Sequence, residues 1–111
     1  MSQETFEALA KRVEDFVEKR GWKRYHRPKD IAIALSIESA ELLEIFQWRG
    51  GSGSLGKEDL EKVRMETADT VIYALCMANA CGFDLGKAVK DKISLNAKKY
   101  PVVGSKDMFD R

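Results

Sequence analysis

Two stretches decide how the rest of the chain reads: Ile37-Glu38-Ser39-Ala40-Glu41-Leu42-Leu43-Glu44 and Arg64-Met65-Glu66-Thr67-Ala68-Asp69-Thr70-Val71-Ile72. Each carries two acids three residues apart among apolar neighbours. On a helix such positions share a face, with Cβ atoms about 5–6 Å apart. Asp69 precedes Val71, Ile72, Ala74, Leu75, Met77 and Ala78, so it is nearly the only ionisable group of a core-like helix. A carboxylate in such a place costs several kcal/mol unless its charge is compensated. Glu38, Glu41, Glu66 and Asp69 have too few cations beside them, which points to a metal ion between two helices. Ligands that are all oxygen suit Mg²⁺ or Mn²⁺. The competing reading is that the acids are solvated or paired with Lys62 and Arg64. A di-iron carboxylate bundle is disfavoured, because it normally uses Glu-x-x-His on two helices and the sole histidine, His26, falls in a loop.

Outward from these stretches the pattern is helical throughout. Phe6, Leu9, Val13, Phe16 and Val17 recur at helical spacing and predict a first helix over 3–20, with Gly21 in the left-handed position after it. Trp22 to Pro28 reads as a loop rich in aromatic and basic residues. A second helix is expected from Lys29-Asp30, with Asp30 as N-cap, to Trp48. One of its stripes is Ile31, Ala34, Leu35, Glu38, Glu41, Leu42 and Ile45; another contains Ile33, Ile37 and Ala40. A helix apolar on two sides is central in its bundle or faces a partner, so an oligomer is expected. Residues 50–56 read as a flexible Gly/Ser connection. A third helix is expected over 57–81, buried in its second half and ended by Gly82. A fourth, over 85–99, is capped by Asp84 and followed by an extended tail to Arg111. The fold class is all-α: a single domain over 1–111 built as a four-helix bundle.

Composition narrows the function. With 111 residues and a net charge of +1, the chain suits one core and carries no field for a nucleic-acid polymer or an anionic membrane. No apolar run reaches the roughly 18 residues of a membrane span. The first residues lack the pattern of a secretory signal, so a cytoplasmic protein is the expectation. Cys76 and Cys81 lie on different faces of one helix and read as small buried residues rather than a disulfide or a metal site.

Glu38-x-x-Glu41, a gap of 24 residues and Glu66-x-x-Asp69 resemble the metal signature of the MazG-like all-α nucleoside triphosphate pyrophosphohydrolases. Trp22 through Pro28, Ala34-Leu35, Phe46-Gln47-Trp48, Asp69-Thr70-Val71-Ile72-Tyr73, Asp84-Leu85, Ala88-Val89, Lys92, Asn96 and Tyr100-Pro101 are similar to the dCTP pyrophosphatase branch. The likeness covers roughly residues 5 to 105. It implies Mg²⁺-dependent cleavage of a (deoxy)nucleoside triphosphate to the monophosphate and pyrophosphate. It also implies a dimer, or a tetramer built from two dimers, with sites near subunit interfaces. The four acids would hold the metal and carry catalysis.

The same resemblance turns Lys92 and Asn96, four apart on one helix face, towards the nucleotide, and puts Trp22 and Trp48 in the base pocket. Tyr73, four beyond Asp69, would lie under the sugar or belong to the core. His26 would contact substrate or cap its loop. One departure stands out: Val13 occupies a base-pocket position where the vertebrate enzymes carry a histidine, so the resemblance leaves the preference for cytosine open. A protein that only dimerises through its helices, with the acids holding a structural ion, is the alternative of a different class.

Overall fold

The computed structural model describes residues 3–48 and 55–102, which form four α-helices and no strand. Helix α1 spans Phe6–Lys19, α2 Pro28–Glu44, α3 Lys57–Cys81 and α4 Leu85–Lys99. None of these is long and apolar enough to cross a membrane.

The ends of α1 follow from its sequence. Thr5 is the N-cap, its hydroxyl accepting from the Ala8 N–H at 3.0 Å. At the other end Gly21 takes φ 67°, and the Trp22 N–H reaches back to the Val17 carbonyl at 3.1 Å. That six-residue bond is half of a Schellman closure, and it ties the backbone of Trp22 to the end of α1. A single 3₁₀ turn, Lys23–Tyr25, then leads into α2.

Helix α2 starts and stops earlier than the sequence suggests. Arg27, not Asp30, is the N-cap, and it makes no side-chain capping bond. Pro28 opens the helix, where its missing N–H is no loss and its fixed φ is helical already. Asp30 instead occupies the first turn, where its charge suits the helix dipole. The helix ends at Glu44 rather than Trp48. The N–H groups of Ile45 and Phe46 bond three residues back, to Leu42 and Leu43, and this tightening converts the final turn from helix to turn. Of the Gly/Ser connection, only Leu55 and Gly56 are described, and Gly56 is the N-cap of α3.

Helices α2 and α3 form the main contact of the fold, and they run antiparallel: Ile45 shares a cleft with Asp59, Glu41 with Glu66, and Ile31 clusters with Cys76. Of the two apolar stripes, the one that contains the acids faces inward. Ile31 is buried, and Ala34, Leu35, Glu38, Glu41, Leu42 and Ile45 are all half-buried. The other stripe remains open, with Ile33 50% and Ile37 53% exposed. Helix α1 packs across α3, held by a hydrogen bond from Asn79 Nδ2 to the Ala10 carbonyl at 3.0 Å.

Among the described residues the buried core is small: Val17, Ile31, Leu75, Cys76 and Ala78. The second half of α3 is therefore not buried all round, since Ile72 is exposed. Cys81 is also exposed, whereas Cys76 is buried, and both are free thiols. Gly82, at φ 74°, ends α3. Asp84 caps α4 by accepting from the Lys87 N–H at 3.1 Å.

Helix α4 leans on the rest through its first turn. A Cβ on Gly86 would lie 3.6 Å from Phe6 Cβ, an ordinary packing distance, so α4 lies close against the start of α1 there. From Val89 onward its side chains are exposed, which leaves α4 projecting from a three-helix body. Of the expected tail, Pro101 and Val102 are described, and Val102 has helical rather than extended backbone; residues 103–111 lie outside the described ones.

Candidate functional site

The antiparallel register of α2 and α3 brings their acid pairs together. One carboxylate oxygen from each of Glu38, Glu66 and Asp69 lies within 4.8 Å of the others. Glu41, one turn further along α2, adjoins Glu38 closely enough to bias its proton. Glu38 Oε2 and Glu66 Oε2 are both buried and accept no hydrogen bond. Orphaned buried acceptors are costly, and here two of them converge.

The electrostatics match this geometry. Burial pushes the Glu38 carboxyl up to about 7; hydrogen bonding to Glu41 and the charge of Glu41 push the same way, followed by Glu66 and Asp69. The Tyr73 phenol is raised as well, first by burial and then by the charge of Glu38. Glu38, Glu66 and Asp69 are close enough together to hold one cation. The donor set is all oxygen, so a hard divalent ion such as Mg²⁺ or Mn²⁺ fits it. The two orphaned oxygens are atoms such an ion would satisfy.

Beside the acids a cavity of about 780 Å³ opens between α1, the 3₁₀ turn and α3. Glu38 and Asp69 line it at the acid cluster. Val13, Phe16, Trp22, His26 and Tyr73 form much of the remaining wall. Ring stacking and apolar contact are what such a wall offers a flat ligand. Phe16 and Trp22 meet edge to face, with ring centroids 5.7 Å apart and planes at 68°. A smaller cavity of about 230 Å³ shares Val13, Val17, His26 and Cys76 with it and is bordered by Lys23 and Asn79.

Of the ten residues singled out from sequence, this cavity and the acid cluster therefore gather Glu38, Glu66, Asp69, Tyr73, Trp22 and His26, with Glu41 alongside. Trp48, 90% exposed, lies past the end of α2 and outside the described cavities. Lys92 and Asn96 are exposed on the projecting part of α4, also outside them. The sequence reading missed Phe16 as a wall residue. Its place on the same stripe as Val13 is the signal that could have found it. Arg12, Ile72 and Cys76 also line the cavity, and nothing in their local sequence marks them.

Comparison with known proteins gives consistent relatives. Residues 33–109 match the MazG-like family. Human dCTP pyrophosphatase 1 is 34% identical over 101 residues, covering 87% of this chain and 59% of the human protein. Bovine dCTP pyrophosphatase 1 is 31% identical over 105 residues, covering 91% and 62%. The chain thus spans about three fifths of the length of these relatives. The crystal structure of a pyrophosphatase from Archaeoglobus fulgidus superimposes with a TM-score of 0.72 at 37% identity, covering 91% of this chain and 96% of the archaeal one.

Proposed function

The chain belongs to the MazG-like family, and from that premise we propose that it is a metal-dependent nucleoside triphosphate pyrophosphohydrolase. The observation that carries this reading is the junction of two features: convergent carboxylates with two orphaned buried oxygens, opening directly onto an aromatic-walled cavity. The first suits a divalent ion and the second a nucleoside. The named activities of the similar proteins support the same reaction class.

In the proposed reaction, water attacks the α-phosphorus, the bond from that phosphorus to the α–β bridging oxygen breaks, and the products are a nucleoside monophosphate and pyrophosphate. Glu38, Glu41, Glu66 and Asp69 hold the cation. When bound there, Mg²⁺, with Mn²⁺ as a substitute, would neutralise charge at the phosphates and make water a better nucleophile. One of the four carboxylates accepts the proton that the water loses. Trp22 and Phe16 offer aromatic faces and edges to the base, and His26 adds ring nitrogens that can hydrogen-bond it. Tyr73 underlies the sugar, where its bulk disfavours a 2′-hydroxyl. The substrate is then a dNTP, such as dCTP or a modified pyrimidine nucleotide, in a cytoplasmic nucleotide pool.

The reading includes a homo-oligomer, a dimer or a pair of dimers. Ile33 and Ile37 on α2, and Val89 and Ile93 on α4, are large apolar side chains left exposed in the single chain, and burying them is what supports assembly. Assembly through these faces would let Trp48, Lys92 and Asn96 complete the site of another subunit: Lys92 would pair with phosphate, and Asn96 would bond phosphate or sugar.

The test is direct. Purified protein is incubated with each dNTP and Mg²⁺, then Mn²⁺, and released pyrophosphate is measured. Turnover of at least one triphosphate is expected. Failure with all of them removes the enzymatic reading and leaves a helical dimerisation module with a structural ion.

A further inference from the structure

We infer that Arg20 is a positioning residue for the aromatic wall of the cavity, acting through Phe16 and Trp22 without touching the ligand itself. The inference rests on the proposed nucleotide reading for its kinetic consequence, but its geometric part stands alone. The Arg20 guanidinium carbon lies 3.5 Å from the Phe16 ring centroid and 6.0 Å from that of Trp22. Its Nη1 donates to the Phe16 carbonyl at 3.2 Å. Arg20 is therefore anchored to the same residue whose ring it covers, and it reaches the second ring as well. It is absent from the wall of the cavity, whereas Phe16 and Trp22 are both part of it.

Those two rings need restraint. Both are on the open side of the molecule, Phe16 48% and Trp22 45% exposed. The Schellman closure fixes the backbone of Trp22 but leaves its two side-chain torsions free. Its indole ring meets the Phe16 ring in a T-shaped contact and, more distantly, Arg20. Phe16 in turn has one face covered by the guanidinium. A planar, always-charged group suits this task, because it stacks on a ring and donates hydrogen bonds in its own plane at the same time. Holding both rings in place before the ligand arrives lowers the ordering cost of binding. It does nothing for the acid cluster, so the effect belongs to affinity and not to the chemical step.

The experiment compares R20M and R20K with the wild-type chain. Methionine keeps an unbranched stem and removes charge and fork; lysine keeps the charge and a donor. For R20M the expected result is a KM raised about 2- to 5-fold, with kcat unchanged; this is the loss of one exposed cation–π contact of about 0.5–1 kcal/mol. R20K should recover part of that rise. Acrylamide quenching of Trp22, read with W48F as background, should increase in R20M while far-ultraviolet circular dichroism stays the same. An unchanged KM in R20M, a fall in kcat without a change in KM, or equal behaviour of the two variants would overturn the inference. If the wild-type chain turns over no triphosphate, the proposed function fails, and the quenching alone decides the stack: unaltered quenching in R20M removes it.

Discussion

Glu38 is the residue on which the site turns. Its pKa is raised, so the sign of its effect follows directly: the protonated form is favoured in the folded state. In the metal-free protein its contribution to stability is present in full below about pH 4.5 and is lost as pH rises through about 7. E38Q should therefore gain stability relative to the wild-type chain across that window, as read by urea denaturation of both at several pH values. A parallel pair of curves would contradict the assignment. Protons and cation compete for the same oxygens. Mn²⁺ affinity in the wild-type chain should thus climb with pH up to about 7 and level off above it, and calorimetry can follow this. E41Q and D69N address catalysis. Loss of an outer partner of a metal site typically costs about 10–100-fold, so loss of a ligand should lower turnover at least about 100-fold. Both variants should keep their helical content and, without metal, gain stability through relief of like-charge repulsion. Near wild-type rates in both would remove the metal assignment.

At the scale of elements, α2 depends on a few contacts with α3. Ile31 is 2% exposed and packs in the cluster with Val17 and Cys76. I31A should cost about 2–5 kcal/mol, the range for a large-to-small change in a packed core, measured by chemical denaturation. With so few residues fully buried, such a loss would take most of the stability of an isolated chain. The ends of the helices were mostly legible. Gly21, Gly82 and Asp84 act as local chemistry dictates, because a cap is satisfied within a few residues of itself; the start of α1 was read too early, at residue 3, and Thr5 is its cap. The start and end of α2 were less legible. Pro28 can open a helix or break one, and the turn after Glu44 is closed by backbone bonds that carry no side-chain signature.

At the scale of the whole molecule, the open faces of α2 and α4 make assembly the central expectation. I37E, which puts a charge on the exposed stripe of α2, should dissociate the oligomer in analytical ultracentrifugation and lower activity with it. A monomeric wild-type chain that is fully active would refute the shared site. A second measurement addresses the same point: E41Q and K92A, each inactive alone, should regain activity when mixed and refolded together if one subunit supplies the acids and another the lysine.

The sequence by itself determined that the chain is helical and where several of its helices stop or cap, because period and capping are local properties. It also marked the four acids, since charge on an otherwise apolar stripe is visible without coordinates. Only the tertiary structure decided that α2 and α3 run antiparallel in the register that draws Glu38, Glu66 and Asp69 within 4.8 Å. It alone put Phe16 beside Trp22 in the cavity wall with Arg20 against both rings, and left Trp48, Lys92 and Asn96 outside. Those relations join residues far apart in the chain or set the directions of side chains. They follow from how helices pack, and no short window of sequence encodes that.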